Sequence, residues 1–332
     1  MRKILTLAAV SVALVSCDRD TDPQGPSLDE LYGDFSVLQD FEVTRNTVNF
    51  ASGQNLHFTA RFSKTVDWEI HIVGETSGAE KIFTGKSKVV DAENALWNGT
   101  TTNLPMFKRE ACMAYITVPE EGYGDTIPQI NVDSVRVTTG FVIADFESGM
   151  NPGWNSFAQS GADMSWNIVQ ADSAAEKEHY FDMGGEVNFD YLIGLIDFPA
   201  SAYNEALFPL NPNPDQVYFN VFLYKPAGIT NEIVLFQFRE DENENGIYNQ
   251  NNEDMYSLEL KGLDVGWQMI SIRYSDMVAL VNGQPADPAG NGVHEPDKLL
   301  QVSVLFLADP SSGYSQTWMD NLIFTENQAF QP

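Results

Sequence analysis

Val217-Tyr218-Phe219-Asn220-Val221-Phe222-Leu223-Tyr224 alternates two kinds of side chain, and that alternation decides the fold. Successive side chains of a β-strand point to opposite faces of its sheet. Val217, Phe219, Val221 and Leu223 are wholly apolar and suit a core, while Tyr218, Asn220, Phe222 and Tyr224 face the other way. The same period recurs along the chain. In 233–239, Val234, Phe236 and Phe238 form the inward set and leave Gln237 and Arg239 opposite; in 301–307, Val302, Val304 and Phe306 lie opposite Gln301 and Ser303. Further strand-like runs cover Tyr191 to Ile196, Met255 to Leu260, Trp267 to Tyr274 and Thr317 to Thr325. No amphipathic helix longer than ~12 residues and no strand–helix alternation interrupts them. Residues 140–332 therefore predict a large two-sheet sandwich of jelly-roll type.

Upstream, residues 36–139 hold shorter runs of the same kind, and Trp68-Glu69-Ile70-His71-Ile72 alternates strictly. About a hundred residues of such strands predict a small β-sandwich, so the chain is all-β with two units. Cys112, in the apolar run Ala111 to Ile116, reads as a buried structural thiol. Residues 18–35, rich in Asp, Pro, Gly and Ser, read as a flexible tether. Residues 1–17 read as a signal peptide, with Arg2 and Lys3 before an apolar stretch too short to span a bilayer. Its end, Leu14-Val15-Ser16-Cys17, resembles the lipobox of bacterial lipoproteins, which implies a lipid on Cys17.

With 47 acidic and 18 basic residues, the chain carries a formal net charge of −29. Such a surface repels nucleic acid and anionic lipid headgroups and disfavours polyanionic ligands, unless a local basic groove overrides the mean field. Neutral ligands and divalent cations remain compatible.

Three short pieces of the larger unit carry a family resemblance. It opens on Ala144-Asp145-Phe146-Glu147-Ser148-Gly149 with Gly153-Trp154, continues through Gly266-Trp267-Gln268-Met269-Ile270-Ser271-Ile272, and closes on Trp318-Met319-Asp320-Asn321-Leu322-Ile323-Phe324. This order resembles the galactose-binding-like jelly rolls and the carbohydrate-binding modules related to families 4, 9 and 11. The smaller unit, through Trp68 to Ile72, Thr76-Ser77-Gly78-Ala79 and Trp97-Asn98-Gly99-Thr100, loosely resembles bacterial Ig-like spacer domains. With the lipobox, the whole chain resembles the surface glycan-binding lipoproteins of Bacteroidetes. The resemblance implies a non-catalytic outer-membrane protein facing the cell exterior, which captures polysaccharide beside a sugar transporter.

The outward residues agree with that expectation. Aromatic rings stack on the C–H faces of pyranose rings, while amides and guanidinium forks hydrogen-bond to vicinal hydroxyls. Tyr218, Asn220, Phe222, Tyr224, Gln237 and Arg239 are the candidate ligand residues, with Trp166 and Trp318 as further stacking candidates. A neutral polysaccharide such as a β-glucan fits the net charge. A face covered by loops or by the neighbouring unit would show the same residues. Trp68, Trp154 and Trp267 read as core, and Trp97 stays unassigned.

Asp241-Glu242-Asn243-Glu244-Asn245-Gly246 matches the opening of a calcium loop, in which oxygens at alternate positions converge on one ion. Asp241, Asn243, Asn245 and Glu253 are its candidate Ca2+ ligands, although Asn245-Gly246 is equally a hairpin turn. The family resemblance implies a second structural Ca2+ at Glu147 and Asp320. No metalloprotease, nucleophile-elbow, P-loop or dinucleotide motif is present. The alternatives are a glycoside hydrolase or polysaccharide lyase on the same jelly roll, or a protein-binding adhesin or scaffold.

Overall fold

The computed structural model describes residues 33–161, 163–186, 191–309 and 313–332. The expected signal peptide, Cys17 and most of the stretch 18–35 expected to be a tether lie outside the described residues. Among the described residues, the helices are 3-10 turns of three or four residues, and the rest of the regular structure is strand. The chain is all-β.

The first unit contains β1 (Val37–Val43), β2 (Thr47–Asn49), β3 (Leu56–Gly74), β4 (Glu80–Val90), β5 (Leu96–Trp97), β6 (Ala111–Val118) and β7 (Tyr123–Ser134). They order as β1-β3-β6-β7-β2, with β4 and β5 also on β3. The 19-residue β3 organises the unit: its first half pairs with β1, and its second half lies between β4 and β6. Its alternation puts Trp68, Ile70 and Ile72 inward at 0–2% exposure, so Trp68 is core as expected. Each such side chain contributes roughly 1.5–3 kcal/mol on burial. Trp97 is fully buried and donates Nε1–H to the Thr100 carbonyl at 3.0 Å. The Cys112 thiol is buried, and burial pushes its pKa far up, so it is not a nucleophile.

The second unit contains β8 (Phe141–Ala144), β9 (Asn155–Ala158), β10 (Ser165–Gln170), β11 (His179–Glu186), β12 (Leu192–Pro199), β13 (Val217–Lys225), β14 (Glu232–Glu240) and β15 (Met255–Lys261). It continues with β16 (Gly266–Arg273), the short hairpin β17 (Leu280–Val281) and β18 (Gln284–Pro285), β19 (Leu299–Ala308) and β20 (Tyr314–Glu326). A front sheet orders as β10-β11-β20-β13-β16, with β8 on β20; a back sheet orders as β15-β14-β19-β12-β9. The chain crosses repeatedly from one sheet to the other, which is jelly-roll behaviour. Between the sheets lie Phe219, Val221 and Leu223 against Val234, Phe236, Phe238, Val302, Val304 and Phe306, all at 0% exposure. These are the inward sets read from the alternation.

A bulge in β20 changes its facing midway. Tyr224 pairs with Trp318 and Phe222 with Asp320, but Asn220 pairs with Ile323. Asn321, at φ 44°, takes up the extra residue. Met319 and Leu322 thus both enter the core, and Asp320 and Ile323 both face outward from the front sheet.

That outward patch is covered. Phe222, Ile323, Ala175, Phe330 and, from the first unit, Met106 form a small separate core, flanked by Leu104, Trp267 and Met269. Backbone bonds stitch the seam: Met106 N–H donates to the Ala175 carbonyl at 2.7 Å, and Thr101 N–H to the Pro332 carbonyl at 2.9 Å. Arg136 donates to the Gln331 carbonyl at 2.7 Å.

Candidate ligand-binding site

The eight residues expected to meet ligand do not come together. Tyr218, Asn220, Phe222, Tyr224 and Trp318 point out from the front sheet, whereas Gln237 and Arg239 point out from the back sheet, on the far side of the core. Strand alternation separates inward from outward but does not say which sheet a strand joins.

On the front sheet the covered-face alternative prevails. Asn220 and Phe222 are fully buried. Asn220 is a hub: its Nδ2 donates to the Tyr218 and Ile323 carbonyls and to Thr325 Oγ1, and its Oδ1 accepts from Ser271 Oγ and Phe330 N–H. Neither residue can reach a ligand. The Arg273 guanidinium lies 5.6 Å from the Tyr218 ring and donates to its hydroxyl at 3.2 Å. Trp318 has both faces occupied, by Tyr224 at 4.1 Å and 10° and by Tyr180 at 4.6 Å and 27°. A ring stacked on both sides has no face left for a sugar. Trp166 is corrected as well. It pairs with the buried Met183, closes the edge of the core against Phe181, and donates Nε1–H to Ser156 Oγ at 2.8 Å. Gly194 is required beneath it, because a Cβ there would come within 2.7 Å of the Trp166 ring.

The back sheet presents an open face. Since Val234, Phe236 and Phe238 point inward, Ile233, Leu235, Gln237 and Arg239 point out. The register sets Arg239 beside Met255 and Gln301, Gln237 beside Ser257 and Ser303, Leu235 beside Glu259 and Leu305, and Ile233 beside Lys261 and Leu307. One end of the face therefore gathers Ile233, Leu235, Leu305 and Leu307 beside the Glu259–Lys261 pair, and the other carries amide, hydroxyl and guanidinium groups. Two adjoining hollows of about 560 and 420 Å³ share Gln237 on this face. A somewhat larger hollow, about 610 Å³, lies at the seam between the units, where its cation Arg136 already holds Gln331.

Loops wall the groove. On one side stands the β17–β18 hairpin, whose turn is Asn282-Gly283 with φ 50° and 70°, the left-handed pair that a tight hairpin turn demands. Tyr191, 51% exposed, lines the apolar end. Nearby, Glu259 is held by Lys261 at 2.6 Å. On the other side the 241–254 loop brings Tyr248 over Arg239, with the guanidinium 5.8 Å from the ring. Burial pushes the Tyr248 phenol up, against the opposing pull of Arg239. Ser303 donates to Asp197 at 2.6 Å and Gln301 to Ser303 at 2.9 Å, while the Gln237 amide has no hydrogen-bond partner among the described residues.

The residues read as calcium ligands are what shape that second wall. Asp241 accepts from the N–H groups of Asn245 (3.1 Å) and Gly246 (2.6 Å). Glu253 accepts from the Asn243 amide and from Asn249 N–H, and Asn245 Oδ1 accepts from Ile247 N–H. Asp241 and Glu253 are buried and close the loop on itself through its own donors. Glu147 accepts from the N–H groups of Glu178 and His179 and from the His179 ring. Asp320 accepts from Glu176 and Asn321 N–H. Among the described residues no three His, Cys, Asp or Glu side chains group where they could hold a metal ion.

Tyr191, Tyr248, Leu235 and Leu307 were not legible as site residues. Tyr248, two residues past the Asn245-Gly246 turn, is the single aromatic of the 241–254 loop, and that was the one available signal.

The sequence matches no protein-family model and no curated protein. Among solved structures, the chain is similar to the family 11 carbohydrate-binding module of a cellulosomal cellulase of Clostridium thermocellum, at 16% identity and TM-score 0.39, covering 58% of this chain and 98% of that one. A complex of the Clostridium thermocellum family 11 module with a β-1,3-1,4-mixed-linked tetrasaccharide aligns at 17% identity and TM-score 0.38, covering 59% and 100%. SGBP-B, from a complex xyloglucan utilization locus in Bacteroides uniformis, aligns at 12% identity and TM-score 0.34, covering 88% of this chain and 73% of that one.

Proposed function

We propose that this chain is a lipid-anchored outer-membrane protein that holds polysaccharide at the cell surface in the back-sheet groove and does not cleave it. The observation that carries the reading is the groove itself, an open sheet face with an apolar end at Ile233, Leu235, Leu307 and Tyr191 and a hydrogen-bonding end at Gln237, Arg239 and Gln301. A pyranose chain presents that combination, with C–H faces for apolar contact and hydroxyl edges for amides and guanidinium. A sheet face also offers length, at roughly 3.3 Å per residue along the strand, so several sugar rings fit.

A neutral β-glucan in an affinity gel is the first probe. Tyr191→Ala and Gln237→Ala should each weaken retention, by about 1–2 kcal/mol for the aromatic, whereas Tyr224→Ala should leave it unchanged. Loss of retention in Tyr224→Ala with none in the groove variants would move the site back to the front sheet. New reducing ends on long incubation would favour the hydrolase or lyase alternative.

The anchor is tested apart from the groove. Cys17→Ser should transfer the protein from the membrane to the soluble fraction, since the lipid is the anchor in this reading. Detergent-dependent membrane association of that variant would overturn it. A sugar transporter or hydrolase beside it would take the captured polymer onward.

A further inference from the structure

We propose that the groove selects a polysaccharide whose neutral backbone carries sparse carboxylate groups, uronic acid substituents in chemical terms, and that Arg239 is the residue that reads them. The inference rests on the glycan reading above and names the substrate class for the same site.

Arg239 stands on the floor of the smaller hollow beside Gln237, Tyr248, Gln250 and Met255. Its Nε is shut off from solvent and meets no acceptor. Its guanidinium forms no ion pair and no hydrogen bond among the described residues, only the contact with the Tyr248 ring. Arg45 and Arg61 lack an ion pair among the described residues as well, but both are exposed, whereas Arg239 is half-buried with a donor withdrawn from water. Ion pairs form elsewhere at Lys64–Glu121, Lys86–Asp67 and Lys261–Glu259. A guanidinium donor withdrawn from water without an acceptor costs free energy, and a ligand that supplies the acceptor recovers it.

Acids on the adjoining loop and on the same sheet face are turned to other work. Asp241 and Glu253 spend their oxygens on the donors of the 241–254 loop. Glu259 lies four residues along the face, about 13 Å at strand rise, and is neutralised by Lys261. The Gln237 amide beside Arg239 is also unpartnered and offers two more donors. A planar fork flanked by an amide fits a carboxylate bidentately, which a single hydroxyl does not.

The net charge of −29 limits how many carboxylates the ligand can carry. At physiological salt, charges farther than about 8 Å are largely screened, so a carboxylate in contact with Arg239 feels chiefly the local groups. A polymer charged on every ring would still meet the acidic surface along its whole length. The geometry therefore favours occasional carboxylates on a neutral chain.

The test compares the purified full chain on four polymers: glucuronoxylan, the same xylan after chemical reduction of its carboxyls to alcohols, polygalacturonate, and a neutral β-glucan. Glucuronoxylan should bind about tenfold or more tightly than its reduced form, the expected size of a charged hydrogen-bonded contact, and more tightly than polygalacturonate. Arg239→Gln should abolish the difference between decorated and reduced xylan, and Arg239→Lys should restore it only in part. Equal binding of decorated and reduced xylan by the unmodified protein would overturn the proposal, whatever the variants do. If neither xylan binds while a neutral β-glucan does, the uronate proposal falls and the glycan reading stands. Retention of no polymer at all would sink both.

Discussion

Replacing Phe222 with alanine is expected to cost about 3–5 kcal/mol of stability, the range for a large aromatic removed from a well-packed core. The ring is fully buried at the seam, 5.8 Å from Phe330 and in one cluster with Met106, Ala175 and Ile323. The cavity would open where the two units and the C-terminal residues meet. Denaturant unfolding should show a lowered midpoint, and the Phe222→Ala protein should expose the 104–106 segment to protease sooner. Polysaccharide retention by the folded fraction should not change. If instead stability barely moves and binding is lost, Phe222 is a ligand residue and the front sheet is the site. Asn220→Ala is the companion variant: it strands the buried Phe330 N–H, at about 1–3 kcal/mol for a buried donor left unpaired.

The second large effect is a fall in stability from mildly acidic to mildly alkaline pH. Glu240 is fully buried beneath the 290–295 segment. Its Oε1 accepts from Tyr274 and from Glu295 N–H, both at 2.9 Å, and its Oε2 has no partner. Burial pushes this carboxyl up to about 8; the two hydrogen bonds pull the other way, and the charges of Asp254 and Glu295 push it up further. Asp320, buried behind the seam beside Glu176, is also raised, again chiefly by burial. A carboxyl whose folded pKa lies above its unfolded value favours folding fully below the unfolded value, here near 4.5, and loses that contribution as pH rises through the folded value. A tenfold change in a protonation equilibrium is worth about 1.4 kcal/mol, so Glu240 alone carries a loss of several kcal/mol between about pH 4.5 and 8. Urea unfolding across pH 5 to 9 should show the decline. Glu240→Gln should flatten it and exceed the parent in stability above pH 8. Parallel curves for the two proteins would mean that Glu240 ionises as an ordinary surface acid.

Much of the fold was legible because burial acts residue by residue. The 217–224, 233–239 and 301–307 alternations each separated core from surface, and the structure places Phe219, Phe236 and Val304 where the period put them. The site was less legible, for two physical reasons. An outward face of Tyr, Asn and Phe suits a sugar, but it equally suits a protein surface that needs both packing and hydrogen bonds. Asn220 and Phe222 serve the latter at the seam. Sheet membership, too, is a property of the whole topology. Tyr224 and Gln237 belong to consecutive strands, yet β13 and β14 lie in different sheets and the two side chains point in opposite directions. The Asp241–Glu253 stretch was recognisable as a built loop, and its carboxylate oxygens accept the loop's own N–H groups.

The seam at Phe222, Met106 and Phe330 also has a mechanical meaning. With one sheet face given over to mating the two units, the open face of the second unit is the one turned away from the first. Tension applied at the groove passes through the thickness of the sandwich and then across the seam before it reaches the first unit. Thr101–Pro332 and Met106–Ala175, together with the apolar cluster, share that load in parallel, so the units resist as one lever. A hinge of bare linker would let the far unit swing and slacken; this joint transmits torque.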